Sequence, residues 1–149
     1  MIKKICLIIL FIGVSSCDYK PVYQQKADLN LLIKEVQLEG NKNINRKVIK
    51  FLKLKDPKNK SSGYILKLNS TKKLAIISKD QAGDATLYRT TVTISVLLDS
   101  ENKTIKQKTF STNFVYNNIS NKFDLAEYQK NIEATLINQL IEDIYIFLN

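Results

Sequence analysis

The sequence predicts an α+β fold, a two-layer sandwich in which a mainly antiparallel sheet of about four strands carries two helices on one face, in the order β-α-β-β-β-α. Three observations carry that prediction. Between Tyr88 and Leu98 apolar and polar residues alternate, with Tyr88, Val92, Ile94, Val96 and Leu98 on one side and Arg89, Thr91, Thr93 and Ser95 on the other. From Leu125 to Phe147 apolar residues recur at every third or fourth position, the period of a helix lying on a sheet. Turn-forming residues separate the strand-like segments, which favours a meander of hairpins. A sheet with one apolar face needs a cover, and two amphipathic helices supply it. The other face is expected to be polar and uncovered.

The chain opens with Lys3 and Lys4 ahead of an apolar run from Ile5 to Phe11 that continues through Ile12 and Val14. That run is about half the length needed to cross a bilayer and, behind two lysines, reads as a secretory leader. It ends in Val14-Ser15-Ser16-Cys17, which resembles the lipobox of bacterial lipoproteins: a branched residue, two small residues that suit a narrow peptidase site, then a cysteine whose thiol accepts a diacylglyceryl group. The competing reading is an ordinary leader with a chance cysteine. On the lipoprotein reading, residues 1–16 are a cleaved leader, 17–30 a lipidated N-terminus and tether, and 31–149 a single α+β domain. Cys17 is then the lipid anchor, carrying covalent diacylglyceryl and N-acyl chains. At ~0.8 kcal/mol per buried methylene, more than one chain makes the anchoring stable. Cys6 is a small apolar residue of the leader.

From Asp18 to Leu29 the chain is polar, contains Pro21 and shows no period, as expected of a tether. Leu31 to Leu38 alternates partially, with Leu32, Val36 and Leu38 on one side, and reads as the first strand; Gly40 and Asn41 punctuate it. Lys42 to Leu54 places Ile44, Val48, Phe51 and Leu52 at helical spacing, with Arg46, Lys47, Lys50 and Lys53 elsewhere. This helix stops before Asp56-Pro57, because the residue ahead of proline disfavours the α region. Lys58 to Gly63 is a polar loop.

Three strand-like segments follow. In the first, Tyr64, Leu66 and Leu68 share a face, joined by Leu74 and Ile76 after a polar interruption at Asn69 to Lys73. The second is the alternating run already described. In the third, Phe110, Phe114 and Tyr116 share a face, and the opposite parity of Ile105 predicts a bulge or an offset near Lys106 to Thr109. Asp80 to Ala85 and Asp99 to Lys103 carry the turn residues. In the last helix Asp124 and Glu127 resemble a capping box, with Phe123 and Tyr128 placed as a staple. Its apolar face runs through Leu125, Tyr128, Ile132, Leu136, Leu140, Ile144 and Phe147, widened by Ile137, Ile141, Tyr145 and Leu148.

The 23 Lys and Arg against 14 Asp and Glu give +9, or +7 once Lys3 and Lys4 leave with the leader. Residues 42–79 hold twelve cations against Asp56 alone, a net +11, whereas residues 122–149 hold two against five, a net −3. A concentrated positive field favours an anionic partner such as phosphate or an acidic lipid head group. Nucleic acid is not expected, since an anchored extracytoplasmic protein seldom meets it. Simple solvation of lysine, in a chain rich in Lys, Asn and Ile, is the other open reading. Against 21 lysines stand two arginines, Arg46 and Arg89, whose planar forks grip phosphate or carboxylate in two places as lysine does not. Arg89, on the polar sheet face among threonines, is the leading candidate.

The chain has no histidine, and its cysteines end at Cys17. Histidine triads, histidine proton shuttles and histidine metal sites are therefore excluded, as are thiolate metal sites and disulfides in the rest of the chain. No glycine-rich phosphate loop and no pair of carboxylates marking a cleft appears. Asp80 and Asp84 read as turn residues rather than a cation site. No enzymatic activity, metal or cofactor is expected beyond the lipid on Cys17.

Three local features resemble the family of the lipopolysaccharide-assembly lipoprotein LptE. Cys17-Asp18-Tyr19-Lys20-Pro21-Val22-Tyr23 is similar to its segment after the lipobox. Leu87-Tyr88-Arg89, leading into an alternating strand that ends Leu97-Leu98-Asp99, is similar to its central strand. Phe114-Val115-Tyr116-Asn117 before a polar turn and a long terminal helix also fits, so the likeness spans residues 17–149. The resemblance implies a protein anchored on the periplasmic side of the outer membrane, acting as a plug in the LptD β-barrel, assisting that barrel's assembly and handling lipopolysaccharide. The polar sheet face would line a wet barrel lumen, and Arg89, Lys79, Lys106 and Lys108 would be candidate contacts for lipopolysaccharide phosphates. Asp18 departs from the pattern: aspartate after the lipid cysteine acts in some bacteria as an inner-membrane retention signal, which implies instead an auxiliary lipoprotein of an ABC-type lipid-transport system.

Overall fold

The computed structural model describes residues 31–53, 63–101 and 103–149; the leader, Cys17, the tether, Asp56-Pro57 and residues 58–62 of the expected loop lie outside them. Among the described residues, strands β1 (Ile33–Gly40), β2 (Tyr64–Lys79), β3 (Ala85–Ser100) and β4 (Lys103–Asn117) form one sheet in the order β1-β2-β3-β4. Helices α1 (Lys42–Phe51) and α2 (Lys122–Leu148) cover one face of it, so the expected two-layer α+β architecture is the one observed. β2, β3 and β4 form an antiparallel meander, while β1 runs parallel to β2. A parallel pair requires a crossover, and α1 is that crossover.

β1 pairs with β2 only from Ile33↔Tyr64 to Gly40↔Ser70, so beyond Ser70 the sheet is three strands wide. This gives the molecule two unlike halves. In the proximal half the chain enters at Leu31, the Tyr64 amide donates to the Leu32 carbonyl at 2.8 Å, and α2 ends. In the distal half the β2–β3 hairpin turns and α2 begins.

The turn from β1 into α1 is fixed by a buried polar knot. Gly40 has φ +78°, and a Cβ there would collide with the Ser70 carbonyl. Asn41 caps α1, its side chain accepting from the Asn43 and Ile44 amides at 3.0 and 3.2 Å. Asn45, buried in the first turns, donates to the Glu39 carbonyl at 2.7 Å, and the Ser70 hydroxyl lies 2.7 Å from Asn45 Oδ1 and 3.1 Å from the Asn41 carbonyl. Ile44, Val48 and Leu52 then bury α1's apolar side against the sheet.

The core closes between Leu66, Leu68, Val92, Ile94, Val96 and Leu98 on the sheet and Ile132, Leu136, Ile137, Leu140, Ile141, Ile144 and Leu148 on α2. Both predicted periodicities are thus realised. Several details differ. A register shift at Lys34 puts Ile33, rather than Leu32, on the core side with Val36, and Leu38 stays half-exposed because β1 is a sheet edge. Leu74 and Ile76 share the parity of the core but lie half-exposed, because β1 and α1 do not reach the distal half; Phe114, on the opposite edge strand, is half-exposed in an open groove between β4 and α2. The β4 bulge falls at Ile105, between the pairs Leu98↔Lys106 and Asp99↔Thr104, just before the expected stretch. α2 starts a turn earlier than its expected cap: Asn121 is the N-cap, accepting from the Phe123 amide at 2.9 Å. Asp124 sits in the first turn, where the helix dipole favours a carboxylate. Phe123 projects into solvent, so no staple forms with Tyr128.

Candidate functional site

The sheet face away from the helices carries rows of short polar side chains. Thr93 bonds Ser111 at 2.9 Å and Ser95 bonds Thr109 at 2.9 Å across the β3–β4 pair. At the proximal end of this face Lys67 pairs with Asp99 at 3.0 Å, and Thr104 donates to the same carboxylate at 2.9 Å. The Lys67 hydrogen bond, with the Thr104 hydroxyl and the lysine charge, holds the Asp99 carboxyl below its usual range against an opposing pull from desolvation. No helix covers this face among the described elements, and these two hydroxyl pairs satisfy each other. It is a wetted, pre-satisfied surface.

At the distal end the character changes. Arg89 lies exposed on the outer face between its register partners Ala75 and Val115, and the next row holds Lys73, Thr91 and Asn113. Around this end Ile77 and Val115, and on the helix side Leu74, Ile76 and Phe114, are each between two-fifths and one-half exposed. Phe123 at the start of α2 is 75% exposed. Beneath them Tyr88 stacks on Tyr116 at 5.8 Å, Tyr128 meets Tyr116 edge-on at 5.7 Å, and the Thr90 hydroxyl lies 3.1 Å from the Tyr116 hydroxyl. Beside this aromatic stack a groove of about 210 Å³ opens between β4 and α2, lined by Phe114, Tyr128, Asn131, Ile132, Thr135 and Leu136. A cation set among apolar side chains suits an amphiphile that carries an anionic head beside acyl chains.

The four cations singled out as phosphate contacts do not converge. Arg89 and Lys79 share the distal end, with Lys79 opposite Ala85 at the hairpin. Lys106 and Lys108 lie on the helix side of β4, paired with Leu98 and Val96. Lys106 donates to the Phe147 carbonyl at 3.1 Å, and Lys108 sits 4.9 Å from the Phe110 ring centroid. Those two lysines engage the C-terminal end of α2, where a cation meets the negative end of the helix dipole. Arg89 and Lys106 are separated by nine strand positions, about 30 Å at 3.3 Å per residue. Lys73, one row from Arg89, escaped notice because only the β2–β3 register brings it there. Asp80 accepts the Ala82 and Asp84 amides at 2.9 Å, so its carboxylate closes the turn. Cys17 lies outside the described residues.

No family model matches the chain, and no curated protein matches it in sequence. Solved structures do match. The chain is similar to the rare lipoprotein B from Shewanella oneidensis, at 14% identity and a TM-score of 0.58 over 74% of this chain and 89% of that one. It is also similar to a minor lipoprotein from Acinetobacter baumannii, at 14% identity and a TM-score of 0.57 over 77% and 90% of the two chains. A third likeness is to lipoprotein B from Nitrosomonas europaea, at 10% identity and a TM-score of 0.63 over 82% and 84%. The chain therefore has the α+β fold found in these bacterial lipoproteins.

Proposed function

We propose that this chain is a non-enzymatic lipoprotein of the LptE kind, anchored through Cys17 in the outer membrane, that plugs and helps assemble the LptD β-barrel and takes part in moving lipopolysaccharide to the cell surface. The observation that carries the reading is the outer sheet face. Its hydroxyl rows would line a water-filled lumen without leaving buried groups unpaired, and its distal end presents Arg89 between Ala75 and Val115. A phosphorylated, acylated lipid finds both of its chemistries there. The lipobox-like Val14-Ser15-Ser16-Cys17 and the fold shared with bacterial lipoproteins support the anchor.

Purification of the chain from native membranes in mild detergent, followed by identification of what comes with it, tests this reading. A large outer-membrane β-barrel is the expected companion. Recovery of an ABC-type transporter instead would move the protein to the inner membrane, the second reading that Asp18 favours. Arg89→Glu is expected to weaken lipopolysaccharide binding about tenfold, the scale of one lost charge-assisted contact; unchanged binding removes Arg89 from the site.

A further inference from the structure

We propose that the exposed face of α1 is a docking surface for anionic phospholipid, which holds the proximal half of the domain against the leaflet to which the chain is tethered. The tether belongs to the reading above, but the docking needs only an anionic bilayer.

α1 separates its residues sharply. Ile44, Val48 and Leu52 at its end are buried, while Lys42, Arg46, Lys50 and Lys47 are exposed and, at 3.6 residues per turn, span an arc of about 140°. No carboxylate lies on the helix, and none pairs with these four cations among the described residues. Helix stability accounts for Lys50, a cation in the last turn, but not for the rest of the pattern. A lysine at the first position opposes the positive end of the helix dipole, where an acidic residue would help, and the cap is the neutral Asn41. Lys72, in contrast, is engaged with Glu133 at 2.7 Å.

The position of the arc favours a bilayer over a soluble anion. Because β1 and β2 are parallel, α1 returns the chain to the end at which Leu31 enters. An anchor ahead of Leu31 would attach to the domain at this end, while Arg89 and the exposed apolar side chains lie at the other. Next to an anionic surface each Lys or Arg strengthens binding about fivefold, an effect confined to about 8 Å at physiological salt.

Lysine acylation by a water-soluble reagent, read residue by residue by mass spectrometry on the full chain, tests the proposal. The chain is mixed with vesicles of phosphatidylcholine alone or with phosphatidylglycerol added. Lys42, Lys47 and Lys50 are expected to react about fivefold more slowly on the anionic vesicles, with Lys122 and Lys130, exposed at the distal start of α2, unchanged. Arg46→Glu, or about 1 M salt, where the screening length falls to about 3 Å, abolishes the protection. Equal reactivity on both vesicles overturns the proposal, as does equal protection of Lys122 and Lys130, or protection by lipopolysaccharide aggregates without protection by phospholipid. Flotation with the neutral vesicles reads the lipid anchor separately.

Discussion

Asn45 shows how one polar residue can fix a topology. Its amide and the Ser70 hydroxyl satisfy the carbonyls left where β1 hands over to α1, within a buried site. Asn45→Ala leaves the Glu39 carbonyl without that donor and the Ser70 hydroxyl with one acceptor fewer. It is expected to lower stability by about 1–3 kcal/mol, measured from the urea midpoint. Asp99 makes a different contribution. Its folded carboxyl titrates below the ordinary 3.8, so its stabilisation is present above that value and is lost as pH falls through the lower folded value. The urea midpoint should therefore decline across this acid range, and Asp99→Asn should flatten that part of the profile. An unchanged acid limb would remove the Lys67–Asp99 pair from the account.

Elements are held by which face they bury, and α2 makes this testable within one turn. Ile144 is fully buried against the sheet, whereas Ile146, two positions on, is 72% exposed. Ile144→Ala is expected to cost about 2–5 kcal/mol, and Ile146→Ala to stay within about 0.5 kcal/mol. Thermal unfolding of the pair checks the rotation of the helix on the sheet, and equal effects would contradict it. The N-terminal turn of α2 teaches a related lesson. The spacing of a polar cap and an acid three residues later occurs twice, as Asn121 to Asp124 and as Asp124 to Glu127. The sequence pattern does not choose between them; the Asn121 side chain reaching the Phe123 amide does.

Across the whole molecule charge and apolar surface separate by end. The proximal half carries α1's cations beside the point of chain entry, and the distal half carries Arg89 on the outer face and exposed Leu74, Ile76 and Phe123 on the helix side. Contiguous exposed apolar side chains mark interaction surfaces more often than they mark neglected core. Ile76→Asp with Phe123→Asp is therefore expected to lower the unfolding temperature only modestly, because Phe123 is 75% and Ile76 50% exposed. The same pair should sharply reduce the yield of any β-barrel companion in detergent pull-down. Loss of folded protein, or undiminished co-purification, would count against a distal interface.

The sequence by itself determined the layer arrangement. Tyr88 to Leu98 and Leu125 to Phe147 carry their periods locally, so one face of β3 and one side of α2 could be assigned to the core without knowledge of neighbours. The polar outer face and the place of Arg89 upon it follow from the same alternation. Tertiary structure alone decided the rest. Leu74 and Ile76 have the parity of core residues, but burial depends on what lies above them, and β1 ends opposite Ser70. The bulges at Lys34 and Ile105 shift parity through strand pairing that no local pattern records. Likewise Lys106 and Lys108 read as free cations along the chain, yet the end of α2, some forty residues on, engages them both. Periodicity is a property of neighbouring residues, whereas exposure and partnership belong to the assembled layers.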